Sequence, residues 1–434
     1  MKTHFKACLF VSIYLLVLVG CGINEPASTT PAELPASETP AASLPTSEPS
    51  PASSEISSTE IPTVQPESEE ASIAEILGML EGLTIDEFFE ESYRQLQLRD
   101  PDQLFQDGLA DDYGLPNDRF TDLSDEYLRE TQELEAGILD LLQTYDRSAL
   151  SADDQLSYDI YEWYLDDLVS GHEFLYYDYP VNSLTIWGKQ NWLVDFMVNQ
   201  FPIIDAQDAD DYLTRLAQTG VWVDQLIEGL KQREEIGVIP PDYLIRESIS
   251  QIERHLIQTA PDTYYGKGND LYTSFRDKLN AVEGITSEEK EILLEAALRE
   301  TEDAFIPAFV KLNEYLKSLE TKASSKSGLY QSSGGKDYYA YMLRRETGTE
   351  LTPEVVHELG RTEVIRLQGE LMDAAFQLGY PETMSLAEIQ ERLVMDSQLL
   401  QGESRLSEIE SLISKANLAT ESYFDLLPEG DLII

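Results

Sequence analysis

Apolar residues recur at helical spacing through most of the chain after residue 72, and alternation typical of strands is rare. The clearest amphipathic helix carries its apolar stripe on Leu134, Ile138, Leu141, Leu142 and Tyr145. Such a stripe needs a partner surface to bury it. The pattern therefore predicts a mainly α fold: one large multi-helix domain with few or no strands.

Capping residues mark several predicted helix ends. Thr84 and Glu87 have the spacing of a capping box, and Thr352 followed by Pro353 has the form of an N-cap with proline at the first helical position. Gly379 and Pro381 are typical of a helix end. Further helices are predicted over about 208–232, 242–257 and 287–319.

Two of the predicted helices are expected to bury specific side chains. The helix that begins near Ser151 is expected to point four residues inward: Tyr161, Tyr164, Leu165 and Leu168. The helix after Thr352 is expected to bury a stripe formed by Val356, Leu359, Leu367, Leu371 and Leu378. Both predictions assume that each apolar face meets the rest of the fold.

The first residues form a different hydrophobic pattern. Lys2 and Lys6 precede an uncharged apolar run that ends at Leu18-Val-Gly-Cys21, which resembles the lipobox of bacterial lipoproteins. We expect residues 1–20 to be a signal peptide and Cys21 to carry lipid, including palmitate, because two or more acyl chains hold a protein firmly on a bilayer. The alternative is an ordinary secretory signal with an incidental cysteine.

A linker is predicted between this signal and the helical domain. Residues 21–72 consist largely of Pro, Ser, Thr, Ala and Glu, so they contain too few apolar side chains to offset the entropy of ordering. The predicted organisation is therefore a signal peptide over 1–20, a lipidated and disordered tether over 21–72, and a helical domain over 73–434. This predicts an extracytoplasmic protein anchored to the bacterial cell membrane.

Charge and cysteine content narrow the possible partners. The chain has 81 acidic and 30 basic residues, a net charge of −51. This surface repels nucleic acid and favours cationic substrates, so no nucleic-acid partner is expected. Cys8 lies in the predicted signal, which leaves Cys21 without a cysteine to form a disulfide.

Motifs for catalysis are missing from the sequence. Neither His172-Glu173 nor His357-Glu358 is followed by the second histidine of a His-Glu-x-x-His zinc motif. No Gly-x-Ser-x-Gly elbow and no complete phosphate-binding loop occurs. The residues alone therefore do not identify an enzyme.

Several segments nevertheless match a family pattern. They include Leu150–Tyr158, Asp210–Leu216, Gly237–Pro241, Gly335–Tyr339 and Leu351–Gly360. Together they resemble the DUF885 family of bacterial proteins, many of them lipoproteins, which are regarded as helical zinc metallopeptidases. The resemblance runs from about Ile85 to the C-terminus and implies a zinc-dependent peptidase in the complete family.

One departure from the family pattern matters most. The family's zinc motif, His-Glu-x-x-Pro-Gly-His-His, does not occur in this sequence. We therefore assign no catalytic or metal-binding residue and no cofactor to this chain, and expect it to be the N-terminal part of such a protein, without hydrolytic activity of its own. The alternatives are a lipid-anchored peptide-binding protein and a structural surface lipoprotein.

The resemblance leaves a few residues that could line a substrate cleft. His357 lies on the helix after Thr352, and Tyr338 or Tyr339 and Arg344 precede it in the sequence. In a complete enzyme these side chains could contact a peptide carbonyl or carboxylate. The alternative is that His357 is an ordinary helix residue and that the tyrosines belong to the core.

Overall fold

The computed structural model describes residues 71–110, 112–184, 188–257, 269–325, 328–329, 332–396, 403–420 and 423. These residues contain no strand, which confirms the predicted mainly α fold. Cys21 and the predicted signal lie outside the described residues, as does the tether before residue 71. None of the helices in these ranges is both long and apolar enough to cross a bilayer.

The helices follow one another with short connections. In chain order they are α1 (Ile73–Leu80), α2 (Ile85–Gln97), α3 (Pro101–Gln106), α4 (Asp125–Leu142), α5 (Ala152–Gly171), α6 (Lys189–Asp195), α7 (Ala206–Glu235), α8 (Asp242–Ile257), α9 (Asp270–Ala281), α10 (Ser287–Glu300), α11 (Ile306–Glu320), α12 (Gly335–Thr347), α13 (Pro353–Gln377), α14 (Leu386–Asp396) and α15 (Glu403–Thr420). The predicted ranges for α7, α8 and α13 are confirmed to within a few residues.

Side-chain caps fix where several helices begin. At Ser72, Thr84 and Thr286 the side chain accepts a hydrogen bond from a backbone N–H in the first helical turn, and a glutamate side chain there accepts one from the cap residue. Thr352 caps α13 ahead of Pro353. The predicted starts of α2 and α13 are therefore confirmed.

A first hydrophobic core forms where α1, α2, α4 and α5 pack together. Leu134, Ile138 and Leu142 are fully buried in it, which confirms the predicted stripe of α4. On α5, Leu165 is also buried, but the prediction for Tyr164 was wrong, since this residue is 39% exposed. Tyr164 stacks over Tyr161 at the edge of the buried face, with the ring centroids 6.4 Å apart.

A second, larger core is built from α6 to α11. Its centre is aromatic, with several rings in edge or stacked contact: Trp192, Phe196, Phe201, Tyr212 and Phe275. Helix α11 lies along α8 and α7 and closes this core with Phe309, Leu312 and Leu316. These contacts bury aromatic and aliphatic side chains, the main favourable contribution to folding.

One buried ion pair joins α3 to α7 beside this core. Arg215 Nη1 donates to Asp102 Oδ1 at 2.6 Å, and its Nε donates to the carbonyl oxygen of Asn117 at 2.6 Å. Burial raises the pKa of Asp102 and lowers that of Arg215, while the attraction between the two charges acts in the opposite direction. Four rings surround the guanidinium: Phe105, Phe120, Phe196 and Phe201.

Within the described ranges, two π-helical turns interrupt the α-helical geometry. Thr301–Phe305 separates α10 from α11, so the helices predicted over 287–319 have the predicted extent and are joined by a wide turn. Phe196–Gln200 follows α6 directly. Lys278 Nζ donates to the carbonyl oxygens of Met197 and Phe201 at 3.3 and 2.7 Å, so its charge meets carbonyls at the end of that turn.

Helix α13 departs from the prediction in its packing. Leu359, Leu367, Leu371 and Leu378 are 61, 44, 52 and 71% exposed, so the stripe predicted to be buried lies on the surface. Only Ala375 is classed as buried on this helix. The periodicity correctly identified one apolar face, but the described residues pack little against it.

Candidate functional site

The predicted cleft residues lie on two consecutive helices with different surroundings. Helix α12 carries Tyr338, Tyr339 and Arg344, and α13 carries His357. Tyr338 is buried, whereas Tyr339 is 51% exposed. Helix α12 packs against the end of α5.

An aromatic cluster fixes α12 on the segment after α5. The rings of Phe174, Tyr177, Tyr338 and Tyr341 lie in contact, with centroid distances of 5.3 to 5.6 Å between neighbouring pairs. Burial raises the pKa of Tyr338 to about 12, so its hydroxyl is neutral at ordinary pH. Tyr338 is therefore a packing residue, in agreement with the core alternative.

A close backbone approach supports this cluster. Gly334 has a φ of 76° at the start of α12, and a Cβ atom there would overlap the Tyr177 hydroxyl. A Cβ atom at Gly171, at the end of α5, would likewise overlap the Tyr341 hydroxyl. A larger residue at either position would displace a tyrosine hydroxyl, and Gly334 is also favoured by its left-handed backbone conformation.

Two arginines share one buried carboxylate at this junction. Asp167 on α5 is 8% exposed, and its carboxylate oxygens lie 3.7 Å from Arg344 Nη2 and 3.5 Å from Arg345 Nε. The Tyr341 hydroxyl donates to the carbonyl oxygen of Asp167 at 3.2 Å and accepts from Arg345 Nη1 at 3.2 Å. We call Asp167, Tyr341, Arg344 and Arg345 the arginine cluster.

The arginine cluster has donor capacity left for a ligand. The side chains of Arg344 and Arg345 are 33% and 44% exposed, and the Asp167 carboxylate pairs with only one nitrogen of each guanidinium group. Guanidinium groups bind carboxylates through paired N–H donors. The geometry therefore suits a peptide carboxylate or carbonyl, the ligand chemistry expected for Arg344.

A histidine–carboxylate pair lies next to this cluster in sequence. His172 Nε2 is 2.6 Å from Glu135 Oε2, and Gln132 Nε2 donates to the carbonyl oxygen of His172 at 3.2 Å. The pair links α4 to the end of α5. The sequence reasoning missed it, because no spacing rule connects Glu135 to a histidine on another helix.

His357 does not join the other predicted cleft residues. It is exposed on the first turns of α13, and no contact in the described part of the chain links it to Arg344 or Tyr339. Arg344 instead pairs with Asp167 on α5. Arg344 therefore lies near Tyr341, and His357 lies apart from both. This placement agrees with the alternative that His357 is an ordinary helix residue.

The family resemblance implies zinc, which would need several His, Cys, Asp or Glu side chains close together. Across the described residues, no group of three or more His, Cys, Asp and Glu side chains is placed to hold a metal ion. The His172–Glu135 pair supplies only two donors. These side chains do not fit a zinc site, so zinc has no part in the chemistry derived from them.

A groove elsewhere is too small for a peptide. It has a volume of about 170 Å³ and lies between the segment before α4 and helix α7, where Phe120, Trp222 and Gln225 line it. Ligand sites for small molecules usually exceed about 300 Å³. The arginine cluster therefore remains the best candidate for ligand contacts.

Comparison with known families tests whether the chain belongs to the family that it resembles. The family model described as "Bacterial protein of unknown function (DUF885)" matches residues 101–434. The chain belongs to the DUF885 family. This match covers α3 to α15 and includes the arginine cluster, and no curated protein matches the chain.

A solved structure has the same fold as this DUF885 chain. It is described as "the putative lipoprotein from Colwellia psychrerythraea", with a TM-score of 0.66 and 19% sequence identity. The likeness covers 80% of this chain and 62% of the Colwellia chain. This DUF885 chain therefore spans less than two thirds of the length of that structure.

Proposed function

We propose that this protein is a membrane-tethered extracytoplasmic lipoprotein that contributes the helical part of a DUF885 peptidase and does not hydrolyse peptides by itself. The observation that carries the proposal is the family match over residues 101–434 in a sequence without the motif His-Glu-x-x-Pro-Gly-His-His. The lipobox-like sequence at Cys21 and the Pro/Ser/Thr-rich segment after it support the tether.

Membrane anchoring is tested by substitution of the predicted lipid-bearing residue. We expect Cys21→Ala to shift the protein from the membrane fraction to the soluble or secreted fraction and to remove acyl mass from the mature N-terminus, since Cys21 provides the thiol. Cys8→Ala is the matched control, because Cys8 lies in the predicted signal. Membrane retention of the Cys21→Ala protein would contradict the tether.

The arginine cluster favours a second candidate function, the capture of peptides without hydrolysis. In a chain with a net charge of −51, the partly exposed side chains of Arg344 and Arg345 share the Asp167 carboxylate, and their remaining N–H donors face solvent. This arrangement suits a peptide with a free C-terminal carboxylate.

Thermal unfolding with paired peptides tests this second candidate. A peptide acid that binds only the native state should raise Tm, and the matching C-terminal amide should not. Arg344→Gln should remove the shift, while Lys231→Gln, a substitution on exposed α7 surface, should preserve it. Equal shifts with acid and amide peptides would count against carboxylate capture.

A further inference from the structure

The arginine cluster and the His172–Glu135 pair meet at the end of α5. His172 follows Gly171 directly, and the Tyr341 hydroxyl lies so close to Gly171 that a Cβ atom there would overlap it. The same hydroxyl accepts a hydrogen bond from Arg345 Nη1 at 3.2 Å. The two groups are therefore neighbours at this end of the helix, and we call them together the α5 junction.

Tyr164 links the two groups electrostatically. It lies on α5 one turn before Asp167 and is 39% exposed. Partial burial raises the pKa of its hydroxyl, the charge of Glu135 raises this pKa further, and the charge of Arg345 lowers it. A carboxylate from α4 and a guanidinium group from α12 therefore both act on one tyrosine hydroxyl of α5.

Both groups have polar atoms available to a ligand. Within the described residues, Arg344 Nε and Nη1 and Glu135 Oε1 have no hydrogen-bond partner. The side chains of Glu135 and Arg344 are 16% and 33% exposed, so solvent reaches both. Guanidinium N–H groups donate to a carboxylate, and a carboxylate oxygen accepts from an ammonium group. The junction can therefore contact two ligand groups of opposite charge.

We propose that the α5 junction binds a short peptide with both termini free, with the C-terminal carboxylate on Arg344 and Arg345 and the N-terminal ammonium group on Glu135. The inference rests on the proposed capture of peptides by their C-terminal carboxylate, and it adds recognition of the other terminus. The junction contains two arginines and two carboxylates. A ligand with one charge of each sign therefore complements the site without adding net charge to it.

Calorimetric titration with alanine peptides tests the proposal. The chain from residue 22, without the predicted signal and Cys21, is titrated with dialanine, trialanine and tetraalanine. The tightest binder is then compared with its N-acetylated and its C-amidated form. We expect each block to weaken binding at least tenfold, because each removes the ligand charge that one side of the site pairs with.

Glu135→Gln separates the contributions of the two termini. This variant keeps a side chain of the same shape beside His172 but removes its charge. It should bind the free and the acetylated peptide with equal affinity. Glu133→Gln is the matched control, because Glu133 is exposed on the opposite side of α4 and its loss should preserve the tenfold difference.

Equal binding of the free and the acetylated peptide by the unmodified chain would overturn the proposal. A difference that Glu135→Gln leaves unchanged, or no binding of any of the three peptides, would overturn it as well. If only the amide binds more weakly than the free peptide, carboxylate capture stands and the contact with Glu135 fails. Equal binding of acid and amide would instead refute carboxylate capture, so the two failures are distinguishable.

Discussion

At the scale of single residues, the family-like segment Asp210–Leu216 has a structural explanation. Tyr212 and Leu216 lie in the core, and Asp211 accepts a hydrogen bond from the backbone N–H of Asn117 at 3.2 Å. Arg215 holds Asp102 in a ring of phenylalanines. The sequence resemblance therefore marked residues that build the fold, and it could not distinguish them from residues that bind a ligand.

The buried pair gives a direct prediction for stability. Arg215→Met should lower the free energy of unfolding by about 3–5 kcal/mol, because it leaves the buried Asp102 carboxylate unpaired. Urea unfolding measures the change. Lys231→Met is the matched control on the same helix, since its pair with Glu228 is exposed and such pairs contribute about 0–1 kcal/mol. Similar small changes for both variants would show that the pair contributes little.

The candidate cleft residues show the limit of sequence reasoning at this scale. Arg344 was identified, but its partner Asp167 lies 177 positions earlier in the chain. Helical periodicity assigns both residues to helices and contains no information on which helix ends meet. The His172–Glu135 contact was unpredictable for the same reason, because it joins two helices whose relative placement depends on the whole core.

At the scale of helices, local signals predicted several boundaries. The capping box at Thr84 and the Thr352-Pro353 pair fixed two starts, because they satisfy backbone N–H groups that the helix itself leaves unpaired. The π-turn at Thr301–Phe305 was missed. Pro307 follows it and has no N–H to donate, so it was the available sign of an irregular turn.

Helix α13 shows why a correctly predicted apolar face can still be predicted wrongly to be buried. Apolar spacing identifies which residues share a face, whereas burial depends on a partner surface. The stripe of α4 meets α1 and α5 and is buried, and the stripe of α13 has no equivalent contact within the described residues. The predicted helix was therefore correct, and the predicted burial of its apolar face was wrong.

This difference predicts unequal costs for the same substitution on two helices. In the chain alone, Leu371→Ala should change the free energy of unfolding by no more than about 0.5 kcal/mol, because Leu371 is 52% exposed. Leu165→Ala on α5 should cost about 2–5 kcal/mol, because Leu165 is fully buried. Chemical denaturation compares them, and a large cost at Leu371 would show that the stripe is already covered.

At the scale of the whole molecule, the sequence predicted the helical class and the family but not a site. Two packed cores between α1 and α11 account for the stable body of the fold, and α13 to α15 extend from it with exposed apolar faces. The function proposed for this arrangement is that of the tethered helical part of a DUF885 peptidase. In this proposal the chain by itself does not hydrolyse peptides.

An assay for peptide hydrolysis by the purified chain decides whether it is inactive by itself. A soluble form from residue 22, which lacks the predicted signal and Cys21, is assayed against a broad peptide panel with added zinc, with and without a chelator, and its bound zinc is measured. We predict no chelator-sensitive cleavage and less than one zinc ion per chain. Cleavage that the chelator abolishes, together with stoichiometric zinc, would contradict the account.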